Sequence, residues 1–281
     1  MSGFVLTFYG VRGSYPVAGP RFRKYGGNTA CLACSLCESI VVLDAGTGII
    51  NLGEQLDLDK PPLGPIHIFI SHYHIDHIQG LPFFKPLYRR GNRVVIHSPS
   101  YSNGDAESLL MSLFMPPFSP IGRDSIRAEV EFRTLESERE VVVNGEARVE
   151  PVYSPTHPRE GVWMFRVASG RHSLVYATDV EFPAGTDTVW PRLCRRTDVL
   201  VHDAQYLDEE YFDASHPRKD FGHSTVSMAA RNAAGLDVGR LFLFHYEPSH
   251  TDAVLEASLA RARKLFSRSF LARENQRIEI H

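Results

Sequence analysis

The sequence of 281 residues lacks an excess of either charge, since its formal net charge is -3. A protein that mainly coats nucleic acid or an anionic membrane carries a clear basic excess, so that class is disfavoured. The chain contains no apolar run of the roughly eighteen residues that a membrane span needs. It also begins without the basic and apolar regions of a secretory signal peptide. We therefore expect a cytoplasmic protein with no membrane partner.

Cysteine is scarce as well, with four residues in the chain, which does not suggest a disulfide scaffold. Three of them form Cys31-x-x-Cys34-x-x-Cys37, a spacing found in zinc sites. The surrounding residues predict a strand, however, in which Cys31 and Cys34 point to opposite faces. The remaining thiol, Cys194, is remote in sequence. A structural role is favoured, and whether Cys31, Cys34 and Cys37 bind a further zinc stays open.

Short β-rich segments, with helices between them, follow one another along the chain. A first strand series is predicted at Phe4–Tyr9, Thr29–Leu36, Ser39–Asp44, Ile66–Ser71 and Val94–His97. A second series is predicted at Ala128–Phe132, Glu140–Val143, Ala147–Tyr153, Gly161–Ala168, His172–Ala177, Val199–Asp203 and Arg240–His245. Helices are predicted at Ile49–Leu56, Asp76–Tyr88, Thr225–Ala234 and Ala253–Phe266, with Pro82 and Pro86 breaking or kinking the second.

No low-complexity linker divides these elements. Two strand series with interspersed helices predict a single α/β domain over residues 1–281, in which two sheets lie between helical layers as a four-layer αββα sandwich. The irregular stretch 101–124 is expected to form a short helix and then a loop that overhangs a site.

The densest group of metal-binding side chains is His72-Tyr73-His74-Ile75-Asp76-His77, which directly follows an apolar run. Buried imidazoles each need a hydrogen-bond partner or a metal ion, so this density indicates metal binding. In an extended segment His72 and His74 point the same way and can hold one ion. If a helix begins near Asp76, Asp76 and His77 point in another direction and can hold a second ion beside the first.

This His-x-His-x-Asp-His pattern resembles the signature of the metallo-β-lactamase superfamily, which implies that fold and three further ligands. The sequence offers one ligand after each of three strands, namely His157, Asp179 and His245. By the resemblance, one ion is bound by His72, His74 and His157, the other by Asp76, His77 and His245, and Asp179 bridges the two. These ligand types favour two Zn²⁺ ions and also suit Mn²⁺ or Fe²⁺.

Two further segments resemble the ribonuclease Z and cyclic phosphodiesterase branch of that superfamily. They are Leu200-Val201-His202-Asp203-Ala204-Gln205 and Phe221-Gly222-His223-Ser224-Thr225. By this resemblance His223 donates a proton to the leaving oxygen, Asp203 orients its ring, and Asp76 belongs to the catalytic group as well as to the ligands. The alternative is that His223 merely precedes a helix capped by its neighbours.

The amino-terminal motifs around Gly10–Pro16 and Tyr25–Thr29 also resemble this branch. They make Arg12 and Asn28 the candidate substrate-binding residues. In a third motif of the same branch, Asp44 is expected to fix the loop that carries the metal histidines.

The resemblance implies hydrolysis of a phosphodiester by a hydroxide that bridges two metal ions. Ribonuclease Z enzymes that process transfer RNA usually carry a long arm between the third histidine and the bridging aspartate, whereas here 22 positions separate His157 from Asp179. Without a dedicated RNA-binding arm, a small, cyclic or short nucleotide phosphodiester is the favoured substrate.

Three alternatives stay open. They are an RNA 3′-end endonuclease of the ribonuclease Z type, a hydrolase of carboxyl esters, lactones or thioesters, and a metal-bound protein without turnover. A homodimer also stays open, because related enzymes are often dimers.

Overall fold

Two mixed β-sheets lie at the centre of the molecule, seven strands in each among the described residues. The structure is a computed structural model that describes residues 4–36, 39–56, 64–100, 105–145, 147–182 and 189–280. Its strands are β1 (Phe4–Gly10), β2 (Cys31–Leu36), β3 (Ser39–Leu43), β4 (Ile66–Phe69), β5 (Arg93–Ser98), β6 (Glu129–Thr134), β7 (Val141–Val142), β8 (Ala147–Ser154), β9 (Val162–Ser169), β10 (His172–Ala177), β11 (Val199–Asp203), β12 (Arg240–Phe244), β13 (Ser269–Leu271) and β14 (Arg277–Ile280).

The described residues form seven α-helices. They are α1 (Gly48–Gln55), α2 (Ile75–Ile78), α3 (Ala106–Ser112), α4 (Val189–Cys194), α5 (Asp208–Tyr211), α6 (Val226–Gly235) and α7 (Asp252–Leu265). The predicted helix Asp76–Tyr88 is wrong beyond Ile78, where the chain forms two short 3₁₀ helices instead. Pro82 and Pro86 lie in these two turns, and neither can donate the backbone N–H that a continuous α-helix needs.

The first sheet has the order β14-β1-β2-β3-β4-β5-β6 and the second the order β13-β12-β11-β10-β9-β8-β7. Strand β6 is a correction to the sequence prediction, because it pairs in parallel with β5 at the edge of the first sheet instead of opening the second. The pairing of β14 with β1 was not predicted either. Four charged or polar positions before it, Arg273–Gln276, conceal this short edge strand in the sequence.

One continuous apolar core fills the space between the sheets, with Phe8 from the first sheet and Phe165 and Phe244 from the second among its members. A second cluster lies outside the first sheet, where α1 contributes Ile49 and Leu52. The αββα sandwich predicted from the sequence is confirmed. Strand alternation places Cys34 in the first cluster and Cys31 in the second, and Cys37 lies outside the described residues.

Within the described ranges, no helix has the length and apolarity that crossing a bilayer requires.

The parallel strands β3–β6 and β10–β13 direct their carboxyl ends to one edge of the sandwich. Asp44 follows β3 at this edge, and its carboxylate is fully buried. It accepts hydrogen bonds from Ser71 N (2.7 Å), Ser71 Oγ (2.9 Å), His77 Nδ1 (2.8 Å) and Tyr176 Oη (2.8 Å). Since Tyr176 belongs to β10, Asp44 fixes the histidine-bearing loop and also joins the two sheets.

We predict that Asp44→Asn lowers the free energy of unfolding by about 3 kcal/mol. The substitution removes the buried negative charge to which the surrounding groups donate hydrogen bonds. Asparagine tolerates the left-handed backbone found here, where φ is 61°. Urea unfolding in the presence of a chelator would measure the loss without a contribution from bound ions. Asp237→Asn is the matched control, since Asp237 is exposed and also left-handed with φ at 53°; equal effects of the two substitutions would contradict this role.

Candidate metal and catalytic centre

Loops that follow β4, β8, β10 and β12 bring the seven predicted ligand side chains together at the carboxyl edge. Their donor atoms form two groups, each lying within 4.8 Å: His72, His74, His157 and Asp179, and then Asp76, His77 and His245. A third such group, Asp179, Asp203, His223 and His245, overlaps both. Short α2 begins at Ile75, so Asp76 and His77 turn away from the extended segment that carries His72 and His74. This change of direction matches the prediction from the sequence.

The group around His77 has the dimensions of a tetrahedral metal site. His77 Nε2 lies 3.2 Å from Asp76 Oδ2, 3.3 Å from Asp179 Oδ1 and 3.2 Å from His245 Nε2. His245 Nε2 lies 3.3 Å from Asp76 Oδ2 and 3.1 Å from Asp179 Oδ1. Ligand atoms placed about 2.0–2.1 Å from a tetrahedral zinc lie about 3.3 Å apart, so these four side chains fit one ion.

The group around His72 is slightly wider. His72 Nε2 lies 3.5 Å from Asp179 Oδ2, and His74 Nδ1 lies 3.3 Å from His157 Nε2. His72 Nε2 is buried without a hydrogen-bond partner among the described residues, which is costly unless the nitrogen binds an ion. Asp179 Oδ1 faces the group around His77 and Asp179 Oδ2 faces the group around His72, which is the arrangement of a bridging carboxylate.

Each of four histidines has its other ring nitrogen held by an outer partner. The pairs are His72 Nδ1 with Ser71 Oγ (3.1 Å), His77 Nδ1 with Asp44 Oδ2 (2.8 Å), His157 Nδ1 with Gly222 O (3.2 Å), and His245 Nδ1 with Gln205 Oε1 (3.0 Å). Such contacts fix the ring orientation and the tautomer of metal-binding histidines. The inward nitrogens are therefore oriented as ligands by the protein itself.

Proton affinities at the centre agree with a cation site. Burial, and then His77, hold the pKa of His72 well below its usual range. Burial alone would raise the pKa of Asp179, but His245, His77 and His72 together hold it well below its usual range. Against the effect of burial, Asp76, Asp179 and Asp44 raise the pKa of His77 well above its usual range. The surplus of carboxylates around His77 is the electrostatic environment that a divalent cation neutralises.

His223 and Asp203 form a buried pair directly beside this cluster. His223 Nδ1 donates to Asp203 Oδ2 over 2.8 Å, and the His223 ring lies 5.2 Å from that of His245 and 5.3 Å from that of His157. Against the effect of burial, Asp203 raises the pKa of His223 to about 9. Asp203 also accepts from Asp179 N (3.0 Å), which ties the pair to the proposed bridging residue.

The helix that follows His223 is capped by a neighbour, as the alternative states: Thr225 Oγ1 accepts from Met228 N over 3.2 Å at the start of α6. The position of the His223 ring goes beyond that alternative. The His223 ring lines the cavity over the histidine cluster.

That cavity measures about 470 Å³ and is lined by Ser14, His74, Ile75, Asp76, His157, Pro158, Arg159, Asp179, Phe221, His223 and His245. None of the described residues within 105–124 lines it, so the predicted overhang is absent from this part of the chain. Residues 101–104 lie outside the described residues.

The structure does not bring Arg12 or Asn28 into the cavity lining. Arg12 is fully buried and donates to the backbone carbonyls of Gly26 (2.9 Å) and His250 (2.7 Å). Asn28 donates to Glu274 through its backbone N (2.6 Å) and through its side-chain Nδ2 (3.1 Å). Both side chains therefore hold loops in place around the site.

The sequence prediction missed two polar lining residues, Ser14 and Arg159. Ser14 N donates to Asp76 Oδ2 over 2.7 Å and so positions a proposed ligand. The only signal for it is the neighbouring Gly13, where a Cβ would lie 2.5 Å from the ring of His245. For Arg159, its position two residues after His157 is the only signal.

Both the sequence and the fold are similar to those of known proteins. Residues 40–246 match the family model described as a beta-lactamase superfamily domain. A ribonuclease Z of Haloferax volcanii is 28% identical over 258 residues, covering 77% of this chain and 79% of that protein. A ribonuclease Z of Picrophilus torridus is 24% identical over 315 residues, covering 97% and 94%.

Among solved structures, the metallo-beta-lactamase fold protein YhfI from Bacillus subtilis aligns with a TM-score of 0.72 and 18% identity, covering 99% of this chain and all of that one. A diphosphatase from the PhnP family gives a TM-score of 0.70 with 19% identity, covering 99% and 98%. These likenesses establish the fold. The family match spans most of the chain and includes all seven of the clustered side chains. The chain therefore belongs to the beta-lactamase superfamily.

Proposed function

We propose that this metal-dependent hydrolase is a phosphodiesterase that cleaves small or cyclic phosphodiesters with two divalent cations, for which Zn²⁺ is the favoured identity. His72, His74 and His157 would hold one cation, Asp76, His77 and His245 the other, and Asp179 both. When bound, such a pair supplies Lewis acidity and lowers the pKa of coordinated water. We also propose that residues 1–281 form a single domain, because one core contains residues of both sheets.

The observation that carries the phosphodiester assignment is the His223–Asp203 pair. An alkoxide leaves phosphorus poorly unless it receives a proton, so the reaction needs a donor at the leaving oxygen. Since Nδ1 of His223 donates a hydrogen bond to Asp203, Nε2 is the ring nitrogen that remains to donate a proton to the leaving oxygen. Asp203 raises the pKa of His223, which favours the protonated ring. Asp203 orients the ring, and its remaining oxygen accepts from Gln205 N (3.1 Å) and Ser224 N (3.0 Å).

The size of the cavity supports a small substrate. Its volume of about 470 Å³ lies in the range of pockets that enclose small ligands. The segment between His157 and Asp179 consists of β9, β10 and their turns, which supports the proposal that the chain lacks a dedicated RNA-binding arm.

An RNA 3′-end endonuclease is the second candidate, and the ribonuclease Z relatives favour it. Those proteins are 28% and 24% identical to this chain over most of its length. Binding of a long RNA would depend on many phosphate contacts and would weaken steeply with salt.

The role of His223 can be tested with two kinds of leaving group. We predict that His223→Ala reduces kcat/KM about 10²–10⁴-fold on a cyclic nucleotide, whose alkoxide needs a proton. On bis-p-nitrophenyl phosphate, whose p-nitrophenolate leaves unprotonated, the same substitution should cost less than about tenfold. His216→Ala is the control, because His216 is an exposed histidine seven positions earlier.

Equal losses on both leaving groups would show that His223 does not act as the proton donor. Absence of turnover on every phosphodiester with Zn²⁺, Mn²⁺ and Fe²⁺, together with turnover of carboxyl esters, lactones or thioesters, would replace the phosphodiesterase proposal with the ester hydrolase.

The RNA candidate makes a different prediction. Under the favoured proposal, metal-replete protein cleaves the small diesters and leaves precursor transfer RNA intact in a gel assay at about 50 mM salt. Accurate 3′-end cleavage of the precursor, lost steeply between about 50 and 200 mM salt, would favour the endonuclease instead.

A further inference from the structure

A second cavity, of about 430 Å³, adjoins the one over the metal centre. It is lined by Tyr153, Pro155, Thr156, His157, Pro158, Arg159, Glu181, Tyr211, Lys219 and Asp220. Three of these, His157, Pro158 and Arg159, also line the first cavity. A substrate bound at the metal centre can therefore extend past Arg159 into the second cavity.

The two walls of this second cavity include or adjoin residues that are proposed to act in the first cavity. One wall follows β8 and contains His157, and the other is the loop 219–222 that leads into His223. The walls touch where His157 Nδ1 donates to Gly222 O, and a Cβ at Gly222 would lie 2.3 Å from that nitrogen. A ligand in the second cavity therefore lies beside a proposed metal ligand, His157, and beside the loop that leads into the proposed proton donor, His223.

Two positively charged side chains of this cavity have no partner among the described residues. Arg159 and Lys219 are exposed, and within the described parts of the chain neither side chain makes a hydrogen bond, an ion pair or a ring contact. Their neighbour Arg218 differs, since its guanidinium lies 5.9 Å from the ring centroids of Tyr206 and Phe221. The backbone of Arg159 is in the left-handed region, with φ at 68°. This conformation is unfavourable for a non-glycine residue and is often found at binding sites.

The acidic groups of the cavity leave these cations available. Glu181 accepts from Asp220 N (2.9 Å), from Gly222 N (2.8 Å) and from the hydroxyl of Tyr211, so its carboxylate is engaged by its own loop. The side chain of Asp220 is exposed to solvent. Because Arg159 and Lys219 both line this cavity, an anion with several oxygens bound in it would face both side chains.

We propose that the second cavity binds a phosphomonoester group that the substrate carries in addition to its scissile diester, with Arg159 and Lys219 as the specificity-determining residues. The proposal rests on the phosphodiesterase function above and narrows its substrate class to phosphorylated nucleotides or sugars. A guanidinium pairs with two phosphate oxygens at once, and the ammonium adds a second charge. Binding energy from this remote group holds the diester in place over the metal centre.

The test compares two ligands that differ by one phosphate. Calorimetry on the metal-replete protein should show that thymidine 3′,5′-bisphosphate binds at least about tenfold more tightly than thymidine 5′-monophosphate, a difference of one good charge-assisted contact. Lys219→Gln, at a residue that lines only the second cavity, should remove most of this preference while binding of the monophosphate changes less than about threefold. Arg159→Gln, at a residue that lines both cavities, should remove the preference as well. Arg171→Gln is the control, since Arg171 is exposed in the β9–β10 turn.

Turnover distinguishes a failure of this proposal from a failure of the phosphodiesterase itself. The p-nitrophenyl ester of thymidine 5′-phosphate and its 3′-phosphorylated counterpart should differ in kcat/KM in the same direction as the binding. Equal binding and equal turnover of the two ligands would overturn the phosphomonoester site while the phosphodiesterase stands. A binding preference without any hydrolysis would support the site and overturn the phosphodiesterase.

Discussion

The position of one carboxylate, that of Asp179, constrains the whole centre. Its Oδ1 lies 3.1 Å from His245 Nε2, and its Oδ2 lies 3.5 Å from His72 Nε2. Asp179 follows β10 in the second sheet, whereas His72 follows β4 in the first. Metal ligands tolerate errors of only about 0.2 Å. The packing of the two sheets therefore has to hold their carboxyl edges in register, and the large core between them supplies that rigidity.

Buried carboxylates also determine the electrostatics of this edge. Asp44, Asp76, Asp179 and Asp203 are all nearly inaccessible to solvent, and burying that many charges is costly unless each is compensated. Asp44 and Asp203 are compensated by hydrogen bonds from loops and rings. Asp76 and Asp179 face the inward nitrogens of the histidines instead. The proposed pair of divalent cations would complete this arrangement, since it would neutralise the carboxylates and leave the imidazoles in the form that binds metal.

Much of this architecture could be predicted from the sequence, because local signals coincide with the elements that form it. Apolar runs indicated most of the strands, and the density of histidine after β4 indicated the metal centre. Proposed ligands that come from distant positions, such as His157 and His245, were predicted only through the family pattern. Nothing in the spacing of single histidines distinguishes them from His67 or His97, which lie buried within strands.

The errors have a common physical origin in contacts between distant segments. The sheet that β6 joins depends on its partner β5, and the edge strand β14 depends on β1. Arg12 looked like a substrate contact because it is a cation in a family motif. Its guanidinium instead donates to the backbone carbonyls of Gly26, 14 positions away, and of His250, 238 positions away.

The most direct test of the account is a crystal structure of the metal-replete protein with anomalous data collected on both sides of the zinc absorption edge. The account predicts two anomalous peaks about 3.5–4 Å apart, with Asp179 between them and the histidine nitrogens within about 2.2 Å of one peak or the other. A single peak, or peaks that none of these side chains contacts, would contradict the two-cation centre and the hydrolytic function built on it.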